Sequence, residues 1–329
     1  MNKHSNNSIL RALGWRDEFA QHLPEQFNAQ DWSVHRVTAV QRTGLVVTPQ
    51  LATQTNAIPI AGKWFQRPEH ERPTVGDWVV VDPAQTNLLA VLPRFSLLSR
   101  LSPAANGSVQ LLAANVDTAF VVTSCNADFS VPRLERYVSA VLEAGIQPVI
   151  VLTKIDLVAS PSVYTKQLIQ AFQNVTWHGV NALSETTLDT LGPWCTAGQT
   201  IALLGSSGVG KSTLVNTLMG APTQRTQAIR EDDGKGRHTT THRSAHMLPQ
   251  GAVILDSPGM REFQISAAAG GIAELFADIE TLAQACRFRD CAHNAEPGCA
   301  VRAALDRGEL DERRLDSYNK LKGSPQATL

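Results

Sequence analysis

The sequence predicts a multi-domain chain with a small N-terminal β-barrel, a central α/β domain and a C-terminal, mainly helical unit organised by metal-ligating side chains. Three observations carry that prediction. Five short β-like runs fall between residues 34 and 92, a glycine-rich loop at 205–212 sits between an apolar run and a helix-like stretch, and three cysteines with one histidine crowd into residues 286–299. At 329 residues with 43% hydrophobic content, the chain is long enough for two or three domains with real cores. The expected divisions are a tail with a short helix at 1–33, the barrel at 34–100, the α/β domain at 101–265 and the metal-binding unit at 266–329.

The opening Met1-Asn2-Lys3-His4-Ser5-Asn6-Asn7 is polar and lacks the apolar region of a signal peptide, and no stretch is apolar for long enough to span a bilayer. A cytoplasmic protein with no membrane partner is expected. Residues 9–27 carry Leu10, Leu13, Trp15, Phe19 and Leu23 at mostly helical spacing, which predicts one short amphipathic helix used for packing. The runs at 34–40, 45–48, 57–65, 78–82 and 88–92 are broken by turns, and five closely spaced strands suit an OB-fold barrel. Such barrels often bind nucleic acid, a role that fold alone does not establish.

In the central domain the run 147–152 reads as a strand and delivers Thr153-Lys154-Ile155-Asp156. A carboxylate there can accept from the ring N–H and exocyclic amine of guanine, a pattern adenine does not offer. Asp156 is therefore the expected base reader, with Lys154 lying along the base by its stem and Thr153 standing where Asn is more usual. A second strand at 175–180 leads into Asn181-Ala182, a second base-contact loop in which the backbone contact is expected and the Asn181 side-chain role is open.

The glycine-rich loop is Gly205-Ser206-Ser207-Gly208-Val209-Gly210-Lys211-Ser212, followed by Thr213-Leu214-Val215 of a helix. Strand, glycine-rich turn and helix form the context this phosphate-binding motif requires. Its backbone N–H groups converge on phosphate oxygens at a helix N-terminus, where the dipole also favours negative charge. Lys211 then reaches the β and γ phosphates, and the Ser212 hydroxyl holds Mg²⁺. Next comes Gly234-Lys235-Gly236-Arg237-His238-Thr239-Thr240-Thr241, which offers hydroxyls to the same metal through Thr239 or Thr240. A threonine run before a strand is equally plain β propensity. Buried-strand residues 253–255 end in Asp256-Ser257-Pro258-Gly259, with Asp256 as a carboxylate that holds Mg²⁺ through water and the Gly259 N–H as a sensor of the γ phosphate.

Beyond it lie Cys286, Cys291, His293 and Cys299, three thiolates and an imidazole that make a closed tetrahedral set for one structural zinc. Without an export signal the alternative of disulfides is disfavoured, and buried thiols with an incidental histidine remain the other reading. Cys125 and Cys195 read as core positions.

The motif order is base loop, second base loop, phosphate loop, threonine segment, DxxG: a circular permutation of a GTPase domain. At this point the chain resembles the circularly permuted ribosome-assembly GTPases, most closely the RsgA (YjeQ) family, from about residue 34 to about residue 322. The resemblance extends to the zinc-ligand spacing, the 73–77 turn and the 97–100 exit from the barrel. It implies a monomeric GTPase that binds the small ribosomal subunit and its rRNA, acts late in subunit assembly, and hydrolyses GTP to GDP and phosphate when stimulated by the subunit. Lys211, Thr240 and His238 are the expected catalytic residues. His238 takes on the water-positioning role because Met260 occupies the place after the DxxG glycine where Ras-like GTPases carry glutamine.

Charge supports the RNA partner only weakly. The net charge is −1, unlike the basic footprint of a free-standing RNA binder. Local basic groups are Arg36, Arg42, Lys63, Arg67 and Arg72 on the barrel, with Arg287, Arg289, Arg313, Arg314, Lys320 and Lys322 near the zinc segment. Two other classes stay open: a nucleotide-independent RNA scaffold, against which Lys211, Ser212 and Asp256 count, and a P-loop kinase or ATPase, in which Lys154 and Asp156 would be an accidental pair. A further alternative is a guanine-nucleotide-regulated RNA-binding protein with a different partner.

Overall fold

The computed structural model describes residues 3–23, 32–41, 44–50, 54–101, 109–220, 243–256 and 269–323. Among these the strands are β1 Ser33–Val40, β2 Gly44–Gln50, β3 Gln54–Pro59, β4 Trp78–Val81, β5 Leu88–Val91, β6 Leu97–Leu101, β7 Val109–Ala114, β8 Thr118–Ser124, β9 Gln147–Thr153, β10 Thr176–Gly179, β11 Thr200–Leu204, β12 Arg243–Met247 and β13 Val253–Asp256. One sheet runs in the order β10-β9-β8-β11-β13-β12-β1-β2-β3, with β4 and β5 branching from β1. The first five of these strands are parallel, and β12 turns antiparallel to β13. β6 and β7 form a separate hairpin.

Strand β8 is buried along its whole length, as a strand covered on both faces must be. Its alternating residues feed two cores, because side chains in a strand point to opposite faces with period two. Phe120 and Val122, with Val149, Val151, Ile201, Leu203 and Ile254, face the helices Thr186–Leu191 and Lys211–Met219 through Leu191, Leu214, Val215 and Leu218. Ala119 and Val121, with Ile150, Leu152, Ala202 and Leu204, face the helices Val131–Glu143 and Ser162–Ala171 through Leu134, Val138, Val141 and Leu168. The same second core takes in Phe276, Ile279, Val301, Leu315 and Tyr318 from the C-terminal helices Ala269–Leu275, Ala277–Ala283, Ala300–Asp306 and Glu312–Lys322 and their joints. Gly271 is part of the reason they pack so closely: a Cβ there would stand 1.8 Å from the Ser139 carbonyl oxygen.

The five N-terminal strands surround a third core of Val37, Leu45, Val47, Ile58, Trp64, Val79, Val81 and Leu88. They are ordered β3-β2-β1-β4-β5, and among the described residues no ladder joins β5 to β3. An Asn56–Gln85 side-chain hydrogen bond links β3 to the β4–β5 turn. Antiparallel pairing of Ala39 with Ser244 and Val40 with Arg243 makes this unit continuous with the α/β sheet.

Three expectations need correction. The strand at 57–65 ends at Pro59 and becomes the short helix Gly62–Phe65, because proline's ring fixes φ and removes a ladder donor. The single helix at 9–27 is instead Lys3–Ala12 followed by Asp17–Ala20, broken at Gly14, whose φ of +88° an α-helix does not accommodate. Its packing role stands: Trp15 meets Trp78 edge-on at 5.0 Å, and Phe19 lies beside Trp78 and Phe95. Third, Arg36 and Arg314 are not surface cations. Arg36 is fully buried and donates to the carbonyls of Leu13, Gly76 and Asn115 and to Thr200 Oγ1, tying the N-terminal segment to β11. Burial lowers its pKa to about 10 against the opposing charges of Asp117 and Asp77. Among the described residues no helix is long and apolar enough to cross a membrane.

Candidate functional site

Parallel pairing brings the carboxyl ends of β8, β9, β10, β11 and β13 to one edge, where open α/β sheets bind ligands. Ser124 pairs with Thr153, Leu152 with Gly179, Leu204 with Val121 and Ala202 with Leu255. The segments 153–156, 181–182 and 205–212 and the backbone of Asp256 therefore emerge side by side, although they are far apart in sequence.

The glycine-rich loop leaves β11 through Gly205, with φ of +141°, where a Cβ would stand 2.2 Å from the Val122 carbonyl oxygen. Gly208 and Gly210 also have positive φ, and Gly210 caps the helix Lys211–Met219. Val209 points down into the core while Ser207 and Gly208 face solvent. Lys211, Ser212 and Thr213 occupy the first helical turn, half-buried. Lys211 Nζ donates to Gly205 O at 2.6 Å and to Ser206 O, so the ammonium is held over its own loop.

The segment 153–156 touches that loop directly. Thr153 Oγ1 is buried 2.6 Å from Val209 O and 3.0 Å from Thr123 O, two acceptors that its one hydroxyl proton serves in turn. Lys154 is in the left-handed region at φ +59°, unusual for a side-chain-bearing residue and frequent at functional sites. Its Nζ donates to Gly208 O at 2.8 Å. Asp156 follows in the short 3₁₀ turn Ile155–Leu157. In the second segment the Asn181 side chain turns back on its own loop, accepting from the Leu183 N–H at 3.0 Å, which assigns it a turn-forming contact. The Ala182 carbonyl accepts from Thr217 Oγ1 at 2.5 Å, tying this loop to the helix that follows the glycine-rich loop. His238, Thr239, Thr240, Gly259 and Met260 lie outside the described residues.

Sequence reasoning does not single out Arg133 and Tyr137, one helical turn apart on Val131–Glu143. Arg133 Nη1 donates to Ser206 Oγ at 2.7 Å and to Asp128 Oδ1 at 3.0 Å, and Tyr137 shares a hydrogen bond with the Ser206 side chain. The available signal is positional: Arg133 lies in the first turn of the helix that follows β8.

In the C-terminal unit the ligand atoms of Cys286, Cys291, His293 and Cys299 all lie within 4.8 Å of one another. Cys286 Sγ is 3.8 Å from Cys299 Sγ, and His293 Nδ1 is 3.7 Å and 3.5 Å from the two sulfurs. A tetrahedron with ordinary Zn–S and Zn–N bonds has edges of about 3.8 Å between sulfurs and about 3.6 Å from sulfur to nitrogen, so this donor set fits zinc. Backbone N–H groups support the sulfurs: Arg302 N donates to Cys299 Sγ at 3.4 Å, and the N–H groups of Val301 and Ala300 serve Cys286. Burial works to raise the Cys286 thiol, yet those donors hold it below its ordinary value, while burial and the neighbouring thiols push Cys291 up to about 11. Three thiolates this close need a cation. The Glu296 carboxylate accepts from the N–H groups of Ala292, Asn294 and Ala295 and shapes the ligand loop.

A family model described as RsgA GTPase matches residues 91–266. The chain is 47% identical over 314 residues to the Small ribosomal subunit biogenesis GTPase RsgA 2 of Vibrio vulnificus, covering 95% of this chain and 86% of that protein. It is 45% identical over 296 residues to the Small ribosomal subunit biogenesis GTPase RsgA of Xylella fastidiosa, covering 88% and 86%. The crystal structure of YjeQ from Thermotoga maritima superposes with a TM-score of 0.64 at 21% identity, covering 89% of this chain and all (100%) of that one. YloQ, described as a circularly permuted GTPase, superposes at 0.62 with 22% identity, covering 92% and 100%. These two likenesses bear on the fold, and the sequence relatives bear on descent. The chain belongs to the RsgA family of GTPases.

Proposed function

We propose that this chain is a GTPase that binds the small ribosomal subunit during its late assembly and hydrolyses GTP to GDP and phosphate in a subunit-stimulated manner. The observation that carries the reading is the contact between the base-reading and phosphate loops, in which Thr153 meets Val209 O and Lys154 Nζ meets Gly208 O. That contact joins a guanine-selective carboxylate, Asp156, to a phosphate cradle. The relatives' names supply the partner and the assembly role.

In this reading Asp156 selects guanine, the loop 205–213 wraps the phosphates, and Lys211 neutralises charge on the β and γ phosphates. Asn181 and Ala182 close over the base. Ser212, Asp256 and Thr239 or Thr240 would hold Mg²⁺; β11–β13 pairing sets Asp256 beside the loop, and Ser212 is in the first turn behind it. Bound there, Mg²⁺ would offset phosphate charge. His238 positions the attacking water, since Met260 offers no hydrogen bond, and the Gly259 N–H senses the γ phosphate. Cys286, Cys291, His293 and Cys299 hold one structural zinc.

The chain divides at 1–33, 34–100, 101–265 and 266–329 into tail, OB-fold, permuted GTPase and zinc-binding unit. It works as a cytoplasmic monomer, and its rRNA contacts use exposed cations such as Lys63, Arg67 and Arg287 rather than the buried Arg36 and Arg314. The subunit must prefer the GTP form, because a ligand with equal affinity for both states shifts nothing.

The test is GTP hydrolysis by the purified protein with and without isolated small subunits, with large subunits and ATP as controls. Stimulation by small subunits alone is expected. Stimulation by neither subunit would leave a guanine-nucleotide switch with another partner, and equal use of ATP would overturn the base assignment.

A further inference from the structure

The catalytic lysine of a phosphate loop is only as well placed as the groups that hold it. Lys211 Nζ has three donors, and two of them are directed at Gly205 O and Ser206 O. Gly205 is fixed by its close approach to Val122. Ser206 lies one residue further out from β11, whose last paired residue is Leu204. Its side chain is held instead from the neighbouring helix.

Arg133 donates from Nη1 to Ser206 Oγ at 2.7 Å, and Asp128 orients the same guanidinium through Nη1–Oδ1 at 3.0 Å and Nη2–O at 2.7 Å. Tyr137, four residues further along the helix and on the same face, hydrogen-bonds Ser206 as well. Val122, Thr123 and Leu134 close the pocket around these groups. The helix itself is anchored to the C-terminal unit: Glu143 Oε2 accepts from the Gly271 N–H at 2.6 Å, and Glu135 pairs with Arg313 at 3.5 Å.

We propose that Arg133, braced by Asp128 and assisted by Tyr137, is a positioning residue for Lys211, acting through the side chain and peptide of Ser206. It fixes the carbonyl over which the Lys211 ammonium is hung. The inference rests on the GTPase reading. Lys211 faces the phosphates whose charge redistributes as the γ phosphoryl leaves, so its misplacement costs more in the transition state than in the ground state. A displacement of about 1 Å in such a group can cost on the order of 100-fold in rate.

The experiment measures kcat, KM and GDP affinity for wild type, Arg133→Ala, Arg133→Lys, Ser206→Ala and the double variant, with melting temperatures alongside. Arg133→Ala should lower kcat about tenfold or more while GDP affinity changes by less than about threefold. Arg133→Lys should recover part of the loss, because an ammonium still reaches Ser206 Oγ but cannot also fork onto Asp128. Ser206→Ala should reproduce the loss, and the double variant should be no slower than Arg133→Ala alone. An unchanged kcat, multiplying losses in the double variant, or a lowered melting temperature with intact kcat per folded molecule would each overturn the proposal. Wild type that fails to hydrolyse GTP even with small subunits present refutes the GTPase reading and the proposal together; active wild type with an equally active Arg133→Ala refutes the proposal alone.

Discussion

Arg314→Met removes a clasp between the C-terminal helices and the α/β domain, and its cost follows from the bonds lost. Arg314 Nε and Nη2 hold the two Asp278 oxygens at 2.6 and 2.7 Å, Nη1 donates to Ala171 O at 2.9 Å, and Nη2 donates to Leu275 O at 3.0 Å. The cation also lies 4.8 Å from the Phe276 ring centre. Ala171 and Leu275 end the helices Ser162–Ala171 and Ala269–Leu275, whose last carbonyls lack intrahelical donors. Methionine keeps most of the volume and offers no donor. Asp278 is 34% exposed and can rehydrate, so its share is about 1–2 kcal/mol; each abandoned carbonyl adds about 1 kcal/mol. The sum is about 3–4 kcal/mol, a large fraction of the roughly 5–15 kcal/mol that holds a domain folded. Urea unfolding followed by circular dichroism at neutral pH reads it, and Arg314→Lys should fall between the two. Acid gives a second check. Burial tends to raise Asp278, but the Arg314 bonds and charge overcome it and leave its pKa below the ordinary value. Its contribution is therefore present above about pH 4 and lost as pH falls through the folded value, so the gap between variant and wild type should narrow in acid. A loss under about 1 kcal/mol at neutral pH would refute the clasp.

Four other outcomes are expected. Chelation should release one zinc per chain and unfold residues 286–299, and Cys299→Ala should do the same because it also removes the N-cap of Ala300–Asp306; a chelator-resistant circular dichroism spectrum would argue against a structural metal. Burial lowers His35 to about 4, so stability is full above its unfolded value near 6.5 and is lost between there and pH 4. The loss is about 3 kcal/mol, and His35→Leu should flatten that limb of the pH–stability curve. Gly205→Ala forces a side chain into φ +141° and 2.2 Å from Val122 O, whereas Gly208→Ala meets nothing within 4 Å, so melting should fall much further for the first; equal shifts would contradict the close approach. Asp156→Asn should weaken GTP binding and admit xanthosine triphosphate, whose C2 carbonyl needs a donor; retained guanine preference would remove Asp156 from base recognition.

Local chemistry is legible in this sequence wherever one short segment carries it. The glycines at 205, 208 and 210 all take the positive φ values that only a side-chain-free residue adopts cheaply, and Cys286, Cys291, His293 and Cys299 converge because a short loop can bring them together. Strands β9 and β11 could be read from their apolar runs, since a strand covered on both faces needs no partner to declare itself. Tertiary structure decided what depends on residues distant in sequence. Arg36 and Arg314 look like surface cations until their acceptors, at positions 13, 76, 115 and 200 for one and 171, 275 and 278 for the other, come into reach. Arg133 acquires meaning only when Ser206, 73 residues away, packs against it. The reach of Val40 to Arg243, which makes the N-terminal strands continuous with the α/β sheet, has no local signal either. A glycine's permitted φ is a property of one residue, whereas a buried cation's partners are a property of the packed core.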